Sequence, residues 1–169
     1  MKPAYVESLG LIERLHRRFL EVVRGELERM DERDINNVQS LILFNMGQDE
    51  LSVGELTSRG CYLGTNVSYN LKKLIEAGYV CQRSSPHDRR SVRVTLTEKG
   101  LALRERLENA FERHSAVLDA RGVRLEDLEQ MIATLGALGR AFTELAESDS
   151  AGFNAPGRER PAVEHAAST

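Results

Sequence analysis

The stretch LKKLIEAGYVCQRSSPHDRRSVRVTLTEKGLAL, Leu71 to Leu103, decides how the rest of the chain is read. It opens as the end of an amphipathic helix that Gly78 stops, because glycine enters the left-handed conformation after a helix without a Cβ penalty. Tyr79–Arg83 and Ser91–Leu96 then alternate as strands do. Between them, Ser84-Ser85-Pro86-His87-Asp88 is rich in turn formers, so the pattern predicts a β-hairpin with a polar, basic tip. Thr97, or the residue before it, can cap a long helix to about Ala120 on which Leu103, Leu107, Phe111 and Leu118 share a face.

Upstream, the helix that Gly78 ends starts near Thr65 and follows the link Cys61-Tyr62-Leu63-Gly64. Before that link, Ser52 and Glu55 have the spacing of a capping box, which predicts a short helix ending near Gly60. Two short helices joined by a tight Gly-containing turn form a helix-turn-helix. Ile35, Val38, Leu41, Ile42 and Met46 mark a helix over Ile35–Met46, with Asp34 or a following Asn available as its cap. Leu9, Ile12, His16, Phe19, Val23 and Leu27 give one apolar stripe on a long helix from about Tyr5 to Met30. Downstream, Arg121-Gly122-Val123 breaks the pattern. A last helix from about Leu125 to Ala146 carries apolar residues on both sides, so it needs more than one partner. After Ser148 the sequence loses all period and is rich in small residues, Pro and Gly, which predicts a disordered tail.

The 169 residues suit one unit with a real core. The formal net charge is -3, yet residues 59–93 hold seven Lys or Arg against Glu76 and Asp88, a local +5 that leaves -8 elsewhere. Such segregation suits a protein with one phosphate-facing surface on an otherwise acidic, soluble body. Two cysteines, Cys61 and Cys81, and no apolar signal segment at the start point to a reducing compartment, with the cytoplasm expected. No apolar run approaches the roughly 18 to 20 residues of a membrane span, so no membrane partner is expected. The scattered His16, His87, His114 and His165 have no metal-ligand spacing, so neither a metal nor a cofactor is expected. A Gly-rich phosphate loop, a nucleophile elbow and a carboxylate cluster beside a histidine are all missing, so no enzymatic activity is expected.

Laid out at about 100° per residue, the 65–77 helix buries Val67, Leu71, Leu74 and Ile75. Thr65, Tyr69, Lys72 and Glu76 point the other way, flanked by Asn66, Ser68 and Lys73. Thr65, Asn66, Ser68 and Tyr69 are placed to reach base edges in a major groove, while Lys72 and Lys73 suit phosphates, which fix register without reading sequence. A narrow hairpin tip fits a minor groove, where Arg is favoured by the negative potential of A·T tracts. Arg83, His87, Arg89, Arg90 and Arg93 are its candidate contacts, with Asp88 orienting Arg90. Double-stranded DNA is the partner these residues imply.

The segment from Ile35 to Leu103 resembles the winged-helix core of the MarR family of bacterial transcriptional regulators. Leu74 and Gly78 fall on the family's Leu-x-x-x-Gly, Asp88 and Arg90 on its wing Asp-x-Arg, and Leu96, Thr97 and Gly100 on its Leu-Thr-x-x-Gly. The resemblance implies a mainly α fold with a small β-hairpin wing, in which a winged helix-turn-helix lobe (34–100) lies between dimerisation helices at 1–33 and 101–147, followed by the disordered tail at 148–169. It implies a homodimer whose recognition helices, about 34 Å apart, read a pseudo-palindromic operator. A repressor released by a small aromatic or anionic effector is the expected mode of action, with Arg90 as the wing arginine. His16, Phe19, Val23, Leu41 and Phe44 are the candidate effector pocket, although such residues more often make an ordinary core. Tyr69 and Asn70 depart from the family, which commonly has an arginine and an apolar residue there.

Two other readings remain open at this point. The same lobe could serve as a winged-helix protein-interaction module, against which the local +5 charge argues. Cys61, ahead of the recognition helix, and Cys81, in the first wing strand, could make the regulator redox-sensing, which needs an exposed thiol of lowered pKa.

Overall fold

The computed structural model describes the backbone of residues 1–60, 64–84 and 92–153. These fall into two compact units, Met1–Ser115 and the segment from Ala116 onward. The chain runs α1 (Lys2–Arg29), α2 (Asn37–Met46), β1 (Leu51–Ser52), α3 (Val53–Gly60), α4 (Gly64–Glu76), β2 (Val80–Ser84), β3 (Val92–Leu96), α5 (Glu98–Ala120) and α6 (Leu125–Phe153). It is a mainly helical fold with one small antiparallel sheet, in the order β1-β3-β2.

Local chemistry sets the ends of these elements. Helix α1 starts ahead of the expected Tyr5 because Pro3 lies in its first turn, where a missing N–H costs no helical bond. Of the candidates for capping α2, Asn36 does so: its side chain accepts from the Gln39 N–H while the Gln39 side chain accepts from the Asn36 N–H. Ile35, expected inside that helix, lies before it and is buried in the core instead. Gly78, at φ +77°, closes α4 in the left-handed region.

The core of the first unit gathers Ile42, Leu43 and Met46 of α2, Leu56 of α3, Val67 and Leu74 of α4, Val94 of β3, and Leu103 and Leu107 of α5. Each side chain of this size contributes roughly 1.5–3 kcal/mol by leaving water. Only the C-terminal end of α1 joins them, through Leu27; Ile12, His16 and Phe19 of its stripe are exposed. On α5 the expected face divides, with Leu103 and Leu107 buried, Phe111 packed at the core's edge and Leu118 exposed.

Two further elements differ from expectation. Strand β1 was not anticipated: two residues cannot display an alternating period, and Leu51 pairs with Val94 and Ser52 with Arg93 to complete the sheet. Helix α6 continues to Phe153, past the expected end near Ala146 and into what composition marks as tail, with the Ser148 hydroxyl donating to the Glu144 carbonyl at 2.8 Å. Residues 154–169 lie outside the described residues. Described by itself, α6 is exposed along nearly all of residues 125–148, including Leu125, Ile132, Leu135, Phe142 and Leu145. Among the described residues no helix is long and apolar enough to cross a membrane.

Candidate DNA-binding surface

The surface is built on the capping box that opens α3. The Ser52 N–H donates to Glu55 Oε2 at 2.6 Å, and the Glu55 N–H donates to Ser52 Oγ at 3.2 Å. Glu55 Oε2 also accepts from Arg93 Nη1 at 3.0 Å. One carboxylate thus caps α3 and ties it to the central strand of the sheet. Arg93, expected to face DNA, is held against α3 by this pair, one residue from the loop end of its strand.

Helix α4 turns Val67, Leu71 and Leu74 into the core and exposes Asn66, Ser68, Tyr69, Lys72 and Lys73. Thr65 lies in the first turn of the helix, but its side chain is outside the described residues. Asn70, at a position where relatives commonly have an apolar residue, is half-buried and donates from Nδ2 to the Asn66 carbonyl at 2.8 Å, so the amide is satisfied on its own helix. Glu76 closes the outer face. Its carboxylate accepts from Lys73 Nζ at 2.8 Å and lies 3.9 Å from Lys72 Nζ. The hydrogen bond from Lys73 holds the Glu76 carboxyl below its ordinary range, and the same bond raises the Lys73 ammonium. Sequence analysis placed Glu76 on this face without this role, although the spacing of three residues to Lys73 and four to Lys72 is the signal for it.

In the hairpin, Arg83 stands directly across from Arg93. Like charges opposite one another destabilise a sheet. Here Glu55 compensates Arg93, while exposed Arg83 has no ion-pair partner among the described residues. The hairpin tip, with His87, Asp88, Arg89 and Arg90, lies outside the described residues, as does Cys61. Cys81 is half-buried, its Sγ 3.0 Å from Thr95 Oγ1 across the strand pair.

The candidate effector residues scatter. Val23 is fully buried, Leu41 and Phe44 are half-buried, and His16 and Phe19 are exposed. Phe111, which sequence analysis assigned only to a core face, joins two of them: its ring centroid lies 5.9 Å from Phe19 and 4.9 Å, edge-on, from Phe44. His114 lies 6.1 Å from Phe111, and the Arg104 guanidinium stands 5.3 Å from the Phe44 ring.

A capped helix, an outward-facing polar helix that begins four residues after it ends, and an antiparallel strand pair carrying Arg83 and Arg93 define the chain as a winged helix-turn-helix protein, and residues 35–100 match the winged helix DNA-binding domain family. The exopolysaccharide II synthesis transcriptional activator ExpG of Rhizobium meliloti (strain 1021) is 38% identical over 134 residues, covering 79% of this chain and 69% of that protein. Similar solved folds include MepR of S. aureus bound to DNA, at TM-score 0.66 and 23% identity over 78% of this chain and 95% of that one. A mutant of E. coli MarR complexed with operator DNA matches at TM-score 0.66 and 19% identity, over 79% and 95% of the two chains. The chain belongs to the MarR family of winged-helix transcriptional regulators.

Proposed function

We propose that the protein is a homodimeric, sequence-specific regulator that reads a pseudo-palindromic operator, with α4 in the major groove and the β2–β3 hairpin along the adjacent minor groove. The observation that carries this reading is the outer face of α4, where Asn66, Ser68, Tyr69 and Lys72 are exposed, as is Arg83 of β2, on a chain of net negative charge. Phosphate contacts by Lys72 and Arg83 position the helix; Asn66 and Tyr69 supply base readout, an amide for adenine and a ring for a thymine methyl. Arg93 acts through Glu55, holding the hairpin against α3. Arg90 at the tip is the wing contact implied by the family. Exposed apolar residues of α1 and α6 supply the dimer surface.

A small aromatic or anionic effector is part of the proposal. The edge-on Phe44–Phe111 pair, with Phe19 and His114 beside it and Arg104 over Phe44, offers rings for an aromatic ligand and a cation for its charge. A dimer seated on a promoter blocks polymerase, which is the expected repression. Activation is the second reading, favoured by the named action of the 38%-identical relative.

The test is selection of fragments from sheared source-genome DNA with the purified protein. Recovery of one inverted repeat supports the reading, and its position relative to the promoter separates repression from activation. Recovery of random fragments overturns it in favour of an interaction module.

A further inference from the structure

One side chain joins the recognition helix to the sheet. Tyr79 follows Gly78 at the end of α4, opens the hairpin, and is fully buried. Its hydroxyl donates to Glu32 Oε2 at 2.7 Å, in the 30–36 linker between α1 and α2. The other Glu32 oxygen, Oε1, accepts from Arg106 Nη1 of α5 at 2.6 Å, and Arg106 Nη2 donates to the Met30 carbonyl at 2.6 Å. Lys99, in the first turn of α5, stands 4.0 Å from the centroid of the Tyr79 ring and donates to Asp34 Oδ2 and to the Ala77 carbonyl, each at 3.0 Å. The backbone closes the same ring of contacts: Thr97 N–H donates to the Tyr79 carbonyl at 3.0 Å and the Thr97 hydroxyl to the Gly78 carbonyl at 2.7 Å.

These bonds span 47 to 76 residues of sequence where they join side chains to the linker, and all converge where α4 ends. Nothing in them faces the outer surface of α4. Their geometric effect is to fix the direction in which α4 leaves α1 and α5, the helices that continue into the proposed dimer surface. A hydrogen bond to an ionised partner has a narrow preferred geometry and contributes roughly twice a neutral one. Glu32 and Lys99 hold the Tyr79 ring directly, and Arg106 and Asp34 hold those two in turn, which leaves α4 few alternative directions.

We propose that Glu32, Tyr79, Lys99 and Arg106 form a positioning clamp that sets the angle of the recognition helix and, in the dimer, the half-site spacing the protein accepts. The clamp rests on the DNA-reading function proposed above. It acts through α4 and touches no nucleotide. Burial, and then the hydrogen bond to Glu32, hold the Tyr79 phenol protonated, and Asp34 holds Lys99 charged, so the clamp stays assembled through neutral pH.

The experiment measures binding to duplexes that carry the selected inverted repeat with its spacer lengthened or shortened by single base pairs. Wild-type protein, Tyr79→Phe and Arg106→Gln are compared, together with Glu32→Gln, which keeps an acceptor for the phenol. Tyr79→Phe preserves the ring and the Lys99 contact, and Arg106 is exposed enough to be replaced without opening the core. The wild type should prefer one spacing by about tenfold or more, and Tyr79→Phe and Arg106→Gln should flatten that preference to within about threefold. Glu32→Gln should fall between them and the wild type, and affinity for random DNA should not change. A purely structural role would weaken every spacing equally; that result, or an unchanged profile in both variants, overturns the clamp. A wild type with no preferred sequence at all overturns the DNA-reading proposal itself and the clamp with it.

Discussion

Glu76 sits between two lysines that an approaching phosphate would otherwise claim. Lys73 is bonded to it at 2.8 Å and Lys72 lies 3.9 Å away, so part of the positive charge of α4 is already answered within the protein. Glu76→Gln frees that charge. Operator affinity should rise severalfold at low salt, and the slope of log affinity against log salt should steepen by about 0.9 for each phosphate newly neutralised. Titrations at several salt concentrations check it; an unchanged slope means the lysines stay off the backbone. Arg83→Ala is the opposite case, expected to weaken binding to all sequences alike and to lower the slope by about one unit. At this scale much was legible in sequence. Tyr69 and Lys72 follow from helical period alone, and Ser52 and Glu55 from a spacing of three. The Arg93–Glu55 and Tyr79–Glu32 bonds were not, because 38 and 47 residues separate partners that only the completed fold brings together.

Among the elements, the junction of α5 with the sheet tolerates least change. A Cβ on Gly100 would lie 2.1 Å from the Tyr79 carbonyl oxygen, so α5 can begin where it does only without a side chain there. Gly100→Ala should therefore destabilise the first unit by about 3 kcal/mol, with the shift seen in the urea midpoint. Sequence marked Gly100 through its place in Leu-Thr-x-x-Gly, yet its packing reason is visible only in the structure. Helix and strand type could be read for the long elements because their apolar period repeats several times. Strand β1 could not, since its two residues draw their strand character from pairing with β3. The end of α6 was missed for a related reason: Ser148 and its neighbours have weak helix propensity, and a long helix can extend through such residues by propagation once nucleated.

For the molecule as a whole, acid should loosen the attachment of α1 to α5. Glu26 is buried on α1, paired with Arg29 and bonded to His114 Nε2 at 2.9 Å and Arg113 Nη2 at 3.2 Å. Burial alone would raise its pKa; the hydrogen bonds from His114 and Arg29 outweigh burial and lower it from 4.5. A depressed folded-state pKa gives stability that is present above the unfolded value and lost as pH falls through the folded one. The stability gap between wild type and Glu26→Gln should accordingly narrow below about pH 4.5, as urea midpoints across an acid series would record; a constant gap would mean that the carboxylate is not the titrating partner. Helix α6 carries the last consequence. Described by itself, this helix has Leu125 and Ile132 67% and 66% exposed. In the proposed homodimer a second copy would cover them, ordering would be a second-order process, and melting temperature should climb with protein concentration by mass action. Dilution would then silence the regulator without any ligand, which makes the number of copies present a signal in its own right.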